Sequence, residues 1–176
     1  ENNDCPILVT LGNHDNKIFT NTGYKKQDYI AKIEKSGNNV HVLENSYFIF
    51  KNTLFGGLAA ERTNTIDCNE LTRNWREKAV ENGYKFILLT HNPDIVLKID
   101  EINSPDIILA GHTHGGQMKM PFNIEFTVLK NDILPRKKIY YGMHTFEGKK
   151  MYITSGIGCS ALPFRILSVA EVVIFS

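Results

Sequence analysis

The sequence is short of several things, and each shortage removes a class of explanation. Cysteine occurs three times in 176 residues, at Cys5, Cys68 and Cys159. An odd number of widely separated thiols fits neither a disulfide framework nor a zinc knuckle, so a reducing compartment is the simpler expectation. Charge of one sign is scarce too: 20 Lys and Arg stand against 19 Asp and Glu, a formal net charge of +1. That balance argues against a surface built to neutralise a nucleic-acid backbone, and no nucleic-acid partner is expected. No apolar run approaches the roughly 18 residues that a membrane-spanning helix needs. The single Trp, Trp75, falls with Leu71 and Ala79 at four-residue spacing, which reads as helix packing rather than recognition. The sequence does not begin with Met, and no signal peptide is expected within it. It opens on Glu1-Asn2-Asn3-Asp4, one polar step before an apolar run, the expected look of a cut piece of a longer protein. Internal repeats and low-complexity stretches are missing as well. The length suits one domain with a sizeable core.

What remains is an α/β pattern of short apolar runs and amphipathic stretches. Ile7 to Leu11 is a predicted strand. Thr22 to Ser36 is a predicted helix, capped by Thr22 and stopped by Gly37. Val40–Leu43, Tyr47–Phe50 and Thr53–Leu58 are three closely spaced strands, expected to form an antiparallel meander. Asp67-Cys68-Asn69-Glu70 has the form of a capping box, and the helix behind it runs to about Asn82 before Gly83. Phe86–Leu89 is a strand, followed by a helix to about Glu101 that Asn92 caps and Pro93 opens. Ile107–Ala110 is a buried strand. Ile139–Gly142, Met151–Ser155 and Val169–Phe175 are the expected closing strands. The basic run Arg136-Lys137-Lys138 reads as a solvated face.

Three of these strands end alike, in a polar loop that carries a side chain able to bind metal. Ile7–Leu11 delivers Gly12-Asn13-His14-Asp15. Phe86–Leu89 delivers Thr90-His91-Asn92-Pro93. Ile107–Ala110 delivers Gly111-His112-Thr113-His114-Gly115-Gly116-Gln117. In open α/β sheets, sites form where strand ends gather. A kinked glycine loop lets both imidazoles of a His-x-His pair converge, and imidazole is the commonest metal ligand. The two remaining histidines have blander readings: His41 as a satisfied strand residue, His144 as a residue beside a strand. Asp15 either orients a neighbour or caps the following turn. Cys159, between glycine and serine, reads as a small buried side chain. Arg62 and Arg165 are the candidates for gripping a substrate phosphate, because a guanidinium offers two parallel donors to it.

Taken together, the Gly-Asn-His-Asp, lone-His and Gly-His-x-His motifs, in this order and spacing, resemble the calcineurin-like metallophosphoesterases, and the resemblance covers most of the chain. Gly115-Gly116-Gln117 and the stretch Ser155 to Arg165 look like a bacterial, membrane-associated branch that includes UDP-diacylglucosamine hydrolases. The resemblance implies a four-layer α/β/β/α sandwich and a centre of two divalent ions (Mn, Fe or Zn). By motif position Asn13, His91 and His112 would bind one ion and His114 the other. His14 would protonate the leaving alkoxide, and a metal-activated hydroxide would attack the phosphorus.

The family also carries, upstream, an Asp-x-His on its first strand and a Gly-Asp-x-x-Asp on its second, the latter supplying the carboxylate that bridges both ions. This chain has neither, so the first strands are expected to be missing. These 176 residues are therefore expected to bind metal weakly or singly and to turn over poorly. The implied function is hydrolysis of a phosphoester or pyrophosphate in a small or lipid-linked substrate, cytoplasmic or at a membrane reached through the missing N-terminus. The alternatives are a nuclease of the same family and a non-catalytic protein-binding scaffold of the same fold, as in the retromer subunit.

Overall fold

The computed structural model describes residues 5–60, 67–118, 132–160 and 163–175. Among the described residues there are two sheets. Six strands, β3 (Ser46–Phe50), β4 (Thr53–Gly57), β5 (Lys85–Thr90), β6 (Ile107–Ala110), β7 (Gly142–Phe146) and β8 (Lys149–Ile153), form the central sheet in the order β3-β4-β5-β6-β8-β7. Its inner four strands, β4, β5, β6 and β8, are parallel, so their C-terminal ends share one edge; β3 and β7 are antiparallel additions at the flanks. The second sheet pairs β1 (Ile7–Val9) with β2 (Val40–Val42) in parallel, Ile7 opposite Val40. Helix α3 (Cys68–Asn82) packs on β4 and β5, and helix α2 (Lys26–Glu34) on β2. This mixed α/β architecture, a multi-stranded central sheet flanked by helices, fits the fold class that the sequence implied.

The burial pattern follows from strand periodicity. Along β5 and β6, Phe86, Leu88, Ile108 and Ala110 point to the α3 side and are buried. They pack with Leu54, Trp75, Ala79, Met151 and Ile153 into one core. Trp75 meets Phe86 edge-to-face at 6.3 Å between centroids. Its seat exists because residue 56 is glycine: a β-carbon there would lie 2.5 Å from the indole. The opposite face carries Leu89, Leu109 and Tyr152 and is only half covered. With Leu8, Val173 and Phe175 these residues line a cavity of about 500 Å³.

Helix α3 starts and stops as predicted. The Asp67 carboxylate accepts from the Asn69 and Glu70 amides, and Gly83 takes the left-handed conformation, φ 68°. Asn92 caps the next segment by accepting from the Asp94 amide, but that segment is two 3₁₀ turns, Pro93–Lys98 and Glu101–Asn103, rather than an α-helix.

Elsewhere the expectations need correction. The predicted helix Thr22–Ser36 is the shorter α2, and a helix not expected from the sequence, α1 (Asn13–Thr22), precedes it and ends at Gly23, φ 67°. Thr22 closes α1 instead of opening α2, its hydroxyl donating back to the Ile18 carbonyl at 2.6 Å. The meander is a single hairpin, β3–β4, because β2 leaves to pair with β1. Strand β7 begins where Ile139–Gly142 was expected to end. Glu147 (φ 48°) and Gly148 (φ 77°) form a two-residue turn that fixes its register with β8. Val169–Phe175 is not a strand. It is held through Glu171 instead, whose amide donates to the Gly156 carbonyl and whose carboxylate accepts from the Ser155 amide and the Tyr141 hydroxyl. Among the described residues no helix is long and apolar enough to cross a membrane.

Candidate active site

Two of the three loops that carry the candidate ligands leave the C-terminal edge of the central sheet, at the adjacent strands β5 and β6. The third leaves β1 in the other sheet, so the site lies where the two sheets face each other. Gly12 is the N-cap of α1, with Asn13 and His14 in its first turn. The Asp15 carboxylate accepts from the Gly12 amide at 2.7 Å and from the Tyr29 hydroxyl at 2.9 Å, so Asp15 caps the helix and ties α1 to α2. No sequence cue separated that role from the orienting one.

The Gly111–Gly116 loop is kinked at four positions: His112 (φ 69°), His114 (φ 54°), Gly115 (φ 62°) and Gly116 (φ 65°) all lie in the left-handed region. Two of the four are not glycine, a conformation that costs about 1–3 kcal/mol each and that clusters at functional sites. The residue between the histidines anchors the loop. Thr113 is buried, and its hydroxyl donates to the Tyr140 carbonyl at 2.6 Å.

Asn13, His91 and His112 meet. His91 Nε2 lies 2.9 Å from Asn13 Oδ1 and 2.9 Å from His112 Nδ1. His112 Nε2 donates to the Asp132 carboxylate at 3.1 Å, and the two side chains are only 13% and 16% exposed. That bond leaves a lone pair on His112 Nδ1. One proton, on His91 Nε2, then faces both Asn13 Oδ1 and His112 Nδ1. Three atoms able to ligate metal, His91 Nε2, Asn13 Oδ1 and His112 Nδ1, thus gather around one shared proton. A divalent ion about 2.0–2.1 Å from nitrogen would hold neighbouring ligand atoms roughly 3 Å apart, compatible with the two 2.9 Å contacts made by His91 Nε2. The residues therefore fit a divalent ion in place of that proton.

Electrostatics fit as well. Burial, and then the adjacent His112, hold His91 down to about 4; Asp15 opposes the shift, while His114 and His14 add to it. His91 is thus a neutral imidazole at pH 7, the form that binds metal. The same couplings put His14 and His114 within electrostatic reach of the trio. His14 is exposed, with Nε2 3.5 Å from the Ser160 hydroxyl. His114 approaches the Gly158 carbonyl through Nδ1 at 3.3 Å.

Among the described residues no group of three or more His, Cys, Asp or Glu side chains is arranged to hold a metal. What assembles is two histidines and an asparagine. Asp132 was missed from the sequence: it stands 20 residues beyond His112 with no motif around it, and only the fold makes them partners. Gly12 is needed for close approach, since a β-carbon there would lie 3.0 Å from His91 Cε1.

The other candidates sort differently. Arg165 is near the His-x-His loop, but Nη1 and Nη2 donate to protein oxygens, including the His114 and Ser155 carbonyls. Arg62 lies outside the described residues. His41 is satisfied by Asn39 at 3.1 Å and stacks on Phe48. His144 bonds the Tyr141 carbonyl on the flanking strand β7. Cys159 is exposed, not the small buried side chain expected, because the turn that carries it lies on the surface.

Residues 1–116 match the sequence model of the calcineurin-like phosphoesterases. The chain is 30% identical over 172 residues to an uncharacterized metallophosphoesterase of Bacillus subtilis, YkoQ, covering 94% of this chain and 58% of that protein. It is 45% identical over 163 residues to the uncharacterized protein YpbG of the same organism, covering 92% and 54%. It is 27% identical over 156 residues to the phosphodiesterase YaeI of Escherichia coli, covering 88% and 52%. The chain thus spans a little over half the length of these curated relatives. No solved structure matches it at comparable significance.

Proposed function

Since this chain belongs to the calcineurin-like phosphoesterase family, we propose that the protein hydrolyses phosphoester or phosphoanhydride bonds with the help of divalent metal. The observation that carries this is the meeting of Asn13 Oδ1, His91 Nε2 and His112 Nδ1, from three separate strand ends, at steps of 2.9 Å. Asn13, His91 and His112 would hold one ion; His114 would serve a second, with further ligands from outside the described residues. Ions of this kind supply positive charge to a phosphoryl group and acidify water near neutral pH. His91 is already neutral near pH 7, so holding an ion through Nε2 would need only that its ring proton move to Nδ1. Asp132 keeps the His112 ring in the tautomer whose Nδ1 faces the site. His14, exposed at the start of α1, would give a proton to a departing oxygen, a role worth roughly 10²–10⁴-fold in rate.

A lipid-linked substrate is the finer part of this reading. Ile157 and Leu167 are 73% and 77% exposed, and they lie on the segment that Gly158 and Arg165 tie to His114. Apolar surface beside a phosphoryl site supports a substrate with acyl chains, and the near-zero net charge speaks for it over a nucleic acid.

The test is metal content and hydrolysis of bis-p-nitrophenyl phosphate, measured on this chain and on the full-length protein. A nucleotide diphosphate with and without acyl chains would then be compared. Mn-dependent turnover that His14→Ala and His91→Ala each lower at least about 100-fold is the expected result. A full-length protein that binds no metal and turns over nothing would leave the protein-binding scaffold as the better reading.

A further inference from the structure

Arg165 does not face the site. Nη1 donates to the His114 carbonyl at 3.0 Å and to the Ser168 hydroxyl at 3.3 Å. Nη2 donates to the carbonyls of Ser155 at 2.8 Å and Gly156 at 3.1 Å, and also to that of Gly158. Nε is buried and without a partner among the described residues. A guanidinium in this state has no fork to offer a phosphate. It joins the carbonyl of His114, at the left-handed kink of its loop, to three carbonyls just beyond β8.

Other ties link the same two segments. The Ser168 hydroxyl also donates to the His114 carbonyl, at 2.9 Å. Gln117 accepts from the Ser160 amide at 2.6 Å and donates to the Phe164 carbonyl at 2.9 Å. The Ile166 amide donates to the Gln117 carbonyl at 2.8 Å. Gly115 is packed so closely that a β-carbon would lie 2.8 Å from Ser155 Cβ and 2.9 Å from Ser168 Oγ. Gly115-Gly116-Gln117 and Ser155–Arg165, which stand out separately in the sequence, are one stitched unit.

We propose that Arg165 is a positioning residue: it clamps the segment after β8 onto the His-x-His loop and so sets where the His114 imidazole stands, rather than binding the substrate phosphate. The loop holds two non-glycine residues at positive φ, a conformation the surrounding structure must impose. Carbonyl acceptors presented in several directions suit a planar, five-donor guanidinium and not an ammonium, which is compact and points its donors from one atom. Charge alone is therefore not sufficient at this position.

The experiment compares wild type, Arg165→Lys and Arg165→Ala in the full-length protein. The structural readout needs no metal: amide hydrogen exchange at Thr113 to Gly116, with the β5 and β6 amides as internal reference. Faster exchange of the loop, by tenfold or more, with the strands unchanged, is expected in both variants. The functional readout rests on the phosphoesterase reading. In both variants Mn affinity is expected to fall about 10–100-fold. The kcat for bis-p-nitrophenyl phosphate is expected to fall on the order of 100-fold, with KM within about twofold. Lysine is not expected to rescue.

Unchanged loop exchange overturns the clamp. A raised KM with kcat intact makes Arg165 a substrate anchor and also overturns it. A lowered unfolding midpoint with Mn affinity intact leaves only a structural role, which overturns it too. A wild type with neither Mn binding nor turnover would count against the phosphoesterase reading, while the exchange data still judge the clamp. If Arg165→Ala does not fold, Arg165→Lys carries the same comparison.

Discussion

Two motif glycines look equivalent in the sequence and should respond oppositely to the same change. Gly12 stands at φ −101° and ψ 178°, a backbone conformation open to any residue. Alanine there would cost nothing in backbone strain. Its β-carbon, however, would lie 3.0 Å from His91 Cε1, 3.1 Å from His91 Nδ1 and 3.5 Å from Asp15 Oδ2. The first two are tighter than ordinary contacts, so the imidazole must shift by a few tenths of an ångström. His91 has little room to do so, because Asn13 and His112 hold its other nitrogen at 2.9 Å each. Overpacking of this kind costs about 1–3 kcal/mol. Exchanging glycine for alanine at an N-cap adds a smaller loss. If His91 holds metal as proposed, moving its ring should weaken metal binding by roughly 10–100-fold, as disturbing a ligand's supporting partners does.

Gly111 is the contrast. Among the described residues no heavy atom lies within 4 Å of its would-be β-carbon, and its φ is not in the left-handed region. Gly111→Ala should leave Mn affinity unchanged. It should leave stability unchanged or raise it by about 0.4–1 kcal/mol through the unfolded chain. The assay is urea unfolding with Mn titration by calorimetry, on wild type and both variants. Gly12→Ala binding Mn as wild type does, or Gly111→Ala losing affinity, would refute the geometry from which the site is built.

Three more outcomes follow from particular residues. His91 falls from 6.5 to about 4 on folding, so protons favour the unfolded chain: its contribution is fully present above pH 6.5 and is lost as pH falls toward 4. Metal-free protein should therefore lose about 2 kcal/mol of stability between pH 7 and pH 5. His91→Gln should flatten that slope in urea-unfolding curves, and an unchanged slope would sink the assignment. Asp132→Ala leaves the His112 Nε2 donor without its carboxylate and should lower Mn affinity about 10–100-fold with the fold intact; an unaltered titration would show that the carboxylate does not orient the ring. Phe86→Ala removes a fully buried ring that packs edge-to-face on Trp75 and should cost about 3–5 kcal/mol; a loss under about 1 kcal/mol by urea midpoint would refute this placement of the core.

Local chemistry made much of this protein legible in the sequence. Asp67 and Gly83 bracket α3 because a short carboxylate satisfies free amides and a glycine accepts positive φ, both decided within a few residues. The strand-then-polar-loop pattern at Asn13, His91 and His112 was legible for a similar reason: an apolar run that stops at a polar turn leaves its next side chain at a sheet edge. The tertiary structure decided what depends on partners far along the chain. It moved β2 away from β3 to pair with β1. It set Asp132 against His112, and it turned Arg165 from an apparent phosphate grip into a tie between two loops. Periodicity and capping carry no information about such pairings, because strand partners and buried polar contacts are chosen by which surfaces meet once the core has closed.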